Sequence, residues 1–318
     1  MYEENSYNNY QEMADSATDW SHLCHYQLSK TSAQGINKIF NFPNMQLAYT
    51  DDVGSVMYNF KAPKDRICIS ILKEVEEKAC LNNIKLKTGQ IVIFDDSKTH
   101  NFLTSSKIVI FDITIKKSFH PLLYSILKRY IDKSIIDTQN HLSNLLSDIF
   151  TEYSTYEDID KKTRLSIKEK IIQVILDLAN NQEPTVPKLT KGEEITFRIR
   201  EKYFNHMDAN ISIESLSKEF AVSGKTLQNA FKSLFGFTPK KFLRLLKLNM
   251  IHHNLSQMST KEITVTEISR KWGFNHMGRM SHYYKELFNE KPIETLNHKN
   301  SYEQNDITAC VIRQEEIL

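Results

Sequence analysis

No run of apolar residues in this 318-residue sequence approaches the ~20 that a membrane-spanning helix needs; among the longest, 108–115 is interrupted by Asp112. A secretory leader is equally missing, because residues 1–19 are polar and acidic where such a leader is basic and then apolar. The expectation is a cytoplasmic protein without a membrane partner. Cysteine is scarce: Cys24, Cys68, Cys80 and Cys310 are scattered with no CxxC pair, which suits reduced thiols and excludes a disulfide frame or zinc knuckle. Glycine and proline number only 8 and 7, so neither a collagen-like nor a low-complexity chain is in view. There is no Gly-rich phosphate loop and no GxSxG nucleophile turn. Residues 40–116, which read as β structure, contain a single histidine, His100, where a catalytic metal site of that class wants two and a carboxylate. His22, Cys24 and His25 lie close together but precede that region, and they read more simply as a loop or strand. No enzyme, no cofactor and no metal are expected.

What is present divides unevenly. Net charge is only +2, yet residues 220–260 carry Lys225, Lys232, Lys240, Lys241, Arg244 and Lys247 without one Asp or Glu. Taken alone such a stretch is a solvated face as readily as a nucleic-acid surface. Earlier in the chain, short apolar segments at 46–49, 55–60, 66–72, 90–94 and 107–115 alternate with turn residues, among them Asp51, Asp52 and Gly54, Asn82 and Asn83, and Gly89. This texture predicts a β-rich, barrel-like or sandwich-like domain. After Ser118 the period becomes helical. Leu122, Leu123, Ile126, Leu127 and Tyr130 make one apolar face, Leu142, Leu145, Leu146 and Ile149 another, and a third helix spans 165–178. Residues 183–192, with Pro184, Pro187 and Gly192, read as a linker. The organisation is therefore α+β: a regulatory, effector-binding or dimerisation domain at 1–182, the linker, an all-α domain at 193–299, and a tail at 300–318.

The all-α domain carries the function. Residues 211–235 divide at 221–224 into two helices with a tight turn, Ser223 being placed to cap the second. With Leu227, Phe231 and Leu234 inward, Gly224, Lys225, Thr226, Gln228, Asn229 and Lys232 face outward. Gln and Asn make bidentate contacts to adenine, while Lys and Thr reach phosphate or guanine. The pattern then recurs. Leu227, Phe231, Phe235 and Pro239 return as Met280, Tyr284, Phe288 and Pro292, each displaced by 53 positions (280 − 227). The second copy has its own leading helix, 265–272, a turn at Gly273 to Asn275, and outward residues Asn275, His276, Gly278, Arg279, His282 and Lys285. Between the copies a continuous helix from Pro239 to Leu255 offers Lys240, Lys241, Arg244 and Lys247 to phosphates.

The runs LSKEFAVSGKTLQNAFKSLFGFTPKKFLRLLKLNM, from Leu216, and VTEISRKWGFNHMGRMSHYYKELFNEKP, from Val265, resemble the DNA-binding domain of AraC/XylS transcription regulators. The resemblance departs in the second copy, where Met280 and Tyr284 stand at positions that are usually Phe and Asn289 at one that is usually Gly. It implies DNA contacts from 224–232 and 275–285, and activation rather than repression. It also implies RNA polymerase as a partner and a cupin-like pocket in the N-terminal half that binds a small effector or supports a homodimer. The start TDWSHLCHYQLSKTSAQG, from Thr18, is faintly similar to regulators of the ethanolamine-utilisation type; no ligand is inferred from that. The alternative is a small-molecule sensor or protein-interaction module for which the DNA domain acts mainly as a tether.

Overall fold

The computed structural model describes residues 2–17, 19–30, 33–156, 159–185, 189–205, 212–257 and 264–297. Ile211, Pro187 and residues 298–318, including Cys310 and the tail, lie outside the described residues, as do the side chains of His22 and Cys24. The chain divides into two units: Met1–His22, Ala33–Gly54 and Tyr58–Lys188 form the first, and Leu23–Ser32, Ser55–Met57 and Leu189–Leu318 the second.

Side-chain alternation builds the first unit. The strands of the chain, all in this unit except most of β2 and the start of β5, are β1 (Tyr2–Tyr7), β2 (Ser21–Gln27), β3 (Gln34–Phe42), β4 (Met45–Val53), β5 (Val56–Lys61), β6 (Arg66–Val75), β7 (Ala79–Leu81), β8 (Ile84–Leu86), β9 (Gln90–Asp95), β10 (His100–Thr104), β11 (Ile108–Lys116) and β12 (Ser134–Ile136). They form a seven-stranded sheet in the order β1-β3-β4-β11-β6-β9-β12 and a five-stranded sheet in the order β2-β5-β10-β7-β8. On one face of the larger sheet Leu47, Ile69, Ile71, Ile91, Ile93, Phe111 and Ile113 are buried in a core with Leu123, Leu127, Leu142, Leu146, Ile171 and Ile175. Those last six come from α2 (Pro121–Leu127), α3 (His141–Tyr153) and α4 (Lys161–Asn181), so the helices cover that face. The residues one step along each strand, Asp112, Ser70, Ala48 and Asn37 among them, face the other way.

Several expectations change here. Strand structure begins at Tyr2, not near residue 40, and a helix α1 (Tyr10–Ser16) is capped by Asn9, whose side chain accepts from the Glu12 N–H. The polar, Tyr- and Asn-rich start had no alternation strong enough to mark an edge strand. Asp51 and Asp52, read as turn residues, pair inside β4 with Val109 and Ile108 of β11. Leu122, assigned to an apolar face, is 64% exposed, while Leu123 and Leu127 are buried. Within the 183–192 stretch Thr185 is held by a two-way backbone pair with Ser134 of β12 (2.9 and 3.1 Å), so this segment begins fixed rather than loose.

The second unit is helical: α5 (Lys191–Asn205), α6 (Ile213–Glu219), α7 (Gly224–Phe235), α8 (Pro239–Gln257), α9 (Val265–Lys271), α10 (Met277–Phe288) and α11 (Pro292–Asn297). An aromatic cluster organises its first half. Phe235 lies 5.4 Å from Phe231, 5.5 Å from Phe242 and 5.9 Å from Phe197, ring centre to ring centre, all four buried. In the second half the ring of Tyr284 lies tilted 4.7 Å from that of Phe288, and its hydroxyl finds Thr295 of α11 at 2.7 Å. That partner explains how a tyrosine is tolerated at a buried position where the first copy has Phe231, since an unpaired buried hydroxyl would be costly. The short strand segment that belongs to this unit is tied to α8 by Asn249, whose side chain exchanges two 2.8 Å hydrogen bonds with the Gln27 backbone.

Candidate nucleic-acid interface and inner cavity

The two helix pairs α6/α7 and α9/α10 are built by the same local devices. Ser212 caps α6 and Thr264 caps α9, each in a reciprocal capping box with Ser215 and Glu267 respectively. Each leading helix ends on the same pair of turn bonds. In the first copy Ala221 and Val222 donate their N–H groups to the carbonyls of Lys218 and Ser217. In the second, Gly273 and Phe274 donate to those of Arg270 and Ser269. The chain turns through the left-handed region at Ala221 (φ 51°) and at Gly273 (φ 81°). α7 and α10 likewise end on left-handed residues, Gly236 and Asn289, whose N–H groups return to Lys232 and Lys285.

The repeat is not uniform, however. The leading helices are offset by 52 positions (264 − 212 for the caps) and the following helices by 53 (277 − 224 for their first residues), so the second turn holds one more residue. The sequence comparison, anchored on the second helices, shows only the larger offset. The extra residue lies between Trp272 and the start of α10, where Gly273 supplies the positive φ at no steric cost; in the first copy Ala221 bears that conformation with a side chain.

The expected contact residues fall on the outer faces. Lys225, Thr226, Gln228, Asn229 and Lys232 of α7 are exposed, and Gly224 at its start is half-buried. Leu227, Phe231 and Leu234 fill the opposite side. In the second copy Asn275, His276, Gly278, Arg279, His282 and Lys285 are all exposed, with Met280, Tyr284 and Leu287 inward. His282 sits 3.3 Å from Glu286 on the same helix, an acidic neighbour that the sequence reading had not weighed. The α8 cations do not behave as one set. Lys240 and Lys241 are exposed, Lys241 lying 5.0 Å above the Phe237 ring. Arg244, by contrast, is half-buried with its guanidinium 3.9 Å over the ring of Tyr283 on α10, and Lys247 is half-buried beside Gly273. Both therefore brace the second helix pair more than they extend into solvent. Helical periodicity gave their direction from the axis but not the aromatic ring waiting there.

His100, the lone histidine of the β region, is fully buried and bonded through Nε2 to the Asp95 carbonyl at 2.7 Å and through Nδ1 to Asn82 at 3.2 Å. Burial pushes its pKa down, which suits a neutral structural ring. Among the described residues no three His, Cys, Asp or Glu side chains group as a metal site would.

The first unit also holds a cavity of about 110 Å³ on the inner face of the larger sheet. Its walls are mostly aromatic and aliphatic. Trp20 lies 5.6 Å from Phe60 and 6.1 Å from Phe94, and Tyr58 lies 5.0 Å from Phe102. Across the floor runs a polar strip set by strand register, with Asn37 opposite Thr50, Ala48 opposite Asp112, and Asp112 opposite Ser70. Ser70 donates its hydroxyl to the Asp112 carboxylate. Burial pushes Asp112 up to about 6 even though that hydrogen bond pulls the other way. Sequence reasoning treated Asp112 only as an interruption of an apolar run; its position at an alternation point of a central strand was the signal available.

Residues 216–298 match a family model described as a helix-turn-helix domain. The chain is 34% identical over 107 residues to the XylDLEGF operon transcriptional activator of Pseudomonas putida, a match that covers 34% of this chain and 33% of that protein. It is 25% identical over 100 residues to the HTH-type transcriptional activator RhaS of Escherichia coli, covering 31% of this chain and 35% of that one. The crystal structure of the AraC-like transcriptional activator CuxR superimposes over 85% of this chain and all of that one, at 8% identity and a TM-score of 0.46. The sequence matches thus span about a third of the length of these curated relatives.

Proposed function

We propose that this chain, whose residues 216–298 match a helix-turn-helix family model, is a sequence-specific DNA-binding transcription regulator of the AraC/XylS type, acting as an activator. The observation that carries the reading is the duplicated helix pair, with the same capping box on each leading helix, the same turn bonds at its end and two differently decorated exposed faces. Helices α7 and α10 would each enter the major groove, about one helical turn apart on one face of the duplex. Gln228, Asn229 and Arg279, all exposed, are assigned to base edges, and Gly224 would let the start of α7 approach closely. Lys225, Thr226 and Lys232 flank them on α7; Asn275, His276, Gly278, His282 and Lys285 do so on α10. Lys240 and Lys241 would hold phosphates, with Arg244 and Lys247 supporting α10.

The N-terminal unit is assigned the regulatory role, with the aromatic cavity as the place for a small effector. RNA polymerase is the proposed protein partner, and homodimerisation through the N-terminal unit is part of the proposal, supported by the exposed Leu122 and Leu165 on α2 and α4. No helix among the described residues is long and apolar enough to cross a membrane, and a protein that must reach DNA works in the cytoplasm. Titration of the full chain on a selected DNA site and on its scrambled counterpart, at several salt concentrations, tests the reading. A preference of about a thousandfold or more, with the affinity for both DNAs falling steeply as salt rises, supports it. Equal affinity for the two would overturn it.

A further inference from the structure

The walls of the inner cavity carry more information than its existence. Among its lining residues the charged side chains are Asp19 and Asp112, and none is Lys, Arg or His. Asp112 occupies the middle of β11 between two paired strands, yet keeps part of its surface open, and the cavity is where that surface faces. One oxygen takes the Ser70 hydroxyl. An anionic ligand would meet a like charge here with no cation to neutralise it, and a purely apolar ligand would leave a buried carboxylate without a counter-charge. We propose that this cavity binds a compact organic amine, its ammonium group paired with Asp112 and its apolar body held among Trp20, Tyr58 and Phe60.

The geometry sets the class and the size. An ammonium donates up to three hydrogen bonds, and the register strip offers acceptors at Asp112 and, one strand along, at the Thr50 hydroxyl. Aromatic faces stabilise a cation brought close to them, most strongly where water is excluded. A cavity of roughly 150 Å³ holds the six carbons of a benzene ring, so about 110 Å³ suits a smaller ligand of about four to six non-hydrogen atoms. The raised pKa of Asp112 agrees with a carboxylate that burial removes from water and that no protein cation lines. Tyr58 and the buried Cys68, the titratable groups whose own shifts register the Asp112 charge, are pushed upward and stay neutral, while Asp19 adds negative potential at the wall.

This inference rests on the N-terminal unit being a sensor, and calorimetry on the full chain separates the two. The probes are isobutylamine, isobutanol and isobutyrate, which share a branched apolar body and differ in the polar group. Isobutylamine is expected to bind at least tenfold more tightly than isobutanol, with no heat from isobutyrate. Asp112→Asn should lose the preference for the amine while retaining the alcohol. If that variant does not fold, the wild-type protein at pH 5 provides the second test: Asp112 is then mostly protonated and amine affinity should fall about tenfold from its value at pH 7.5. Isobutyrate binding as tightly as the amine, or no binding of any probe by protein that still selects its DNA site, overturns the amine assignment and leaves DNA recognition standing. Loss of DNA selectivity in the wild-type protein, with amine binding intact, overturns the regulator reading instead.

Discussion

Three kinds of side chain in the proposed interface should respond differently to single substitutions. The proposed base readers should fail selectively. Replacing Arg279 or Gln228 by alanine is expected to relax preference at one base pair and to cost about 1 to 3 kcal/mol on the preferred site, with little change on scrambled DNA. Lys241→Ala should weaken both DNAs alike and flatten the salt dependence by about one unit of slope. Fluorescence titrations on both DNAs at two salt concentrations read these outcomes together. Arg244→Ala should behave differently from either, because its guanidinium rests on Tyr283 and its loss loosens α10. The residue roles were legible in the sequence where periodicity alone decides them, as for the exposed faces of α7 and α10. They were illegible where a distant partner decides, as with Arg244 on Tyr283 or Asp112 opposite Ser70, because register and packing bring those residues together over separations that no local window spans.

Asp112 gives a prediction of opposite sign to its binding role. A carboxyl raised from 3.8 to about 6 on folding disfavours the folded state while it is ionised. That penalty is fully present above pH 6 and is lost as pH falls toward 3.8. Asp112→Asn should therefore melt at a higher temperature than the wild type at pH 7.5, with the gap narrowing through pH 5.5 and pH 4.5. A gap that is constant over this range would contradict the assignment of the shifted group.

Among the elements, the turn of the first helix pair is the informative one. Ala221 sits at φ 51°, a conformation that costs an L-residue roughly 1 to 2 kcal/mol, where the second copy uses Gly273. Ala221→Gly should remove that strain at a smaller cost in unfolded-chain entropy, for a net gain of up to about 1 kcal/mol in chemical denaturation. Ser223→Ala, which removes the cap of α7 from the Thr226 N–H, should lose about 1 kcal/mol. The helices of this domain were readable because apolar positions recur at 3.6 and capping residues open α6, α7 and α9. The N-terminal strands were readable only in part. β4, β6, β9 and β11 have strong apolar content, whereas β1, β2 and the short β7 and β8 have too few residues or too many polar ones for alternation to stand out. Their place is set by pairing with neighbours, as Tyr2–Tyr7 is by β3.

For the whole molecule, the duplicated domain implies an asymmetric target. α7 presents Lys225, Thr226, Gln228, Asn229 and Lys232, while α10 presents His276, Arg279, His282 and Lys285, so the two helices cannot prefer the same bases. The one-residue difference in turn length adds a second asymmetry. A protomer should consequently read two unlike blocks in fixed order, and a dimer should repeat that pair rather than create symmetry inside it. Selection of binding sites from a random-sequence DNA pool by the full chain, followed by sequencing, tests this most directly. The account predicts two different conserved blocks about 10 base pairs apart in one orientation. A single block, or two blocks that are inverted copies within one protomer's footprint, would contradict it.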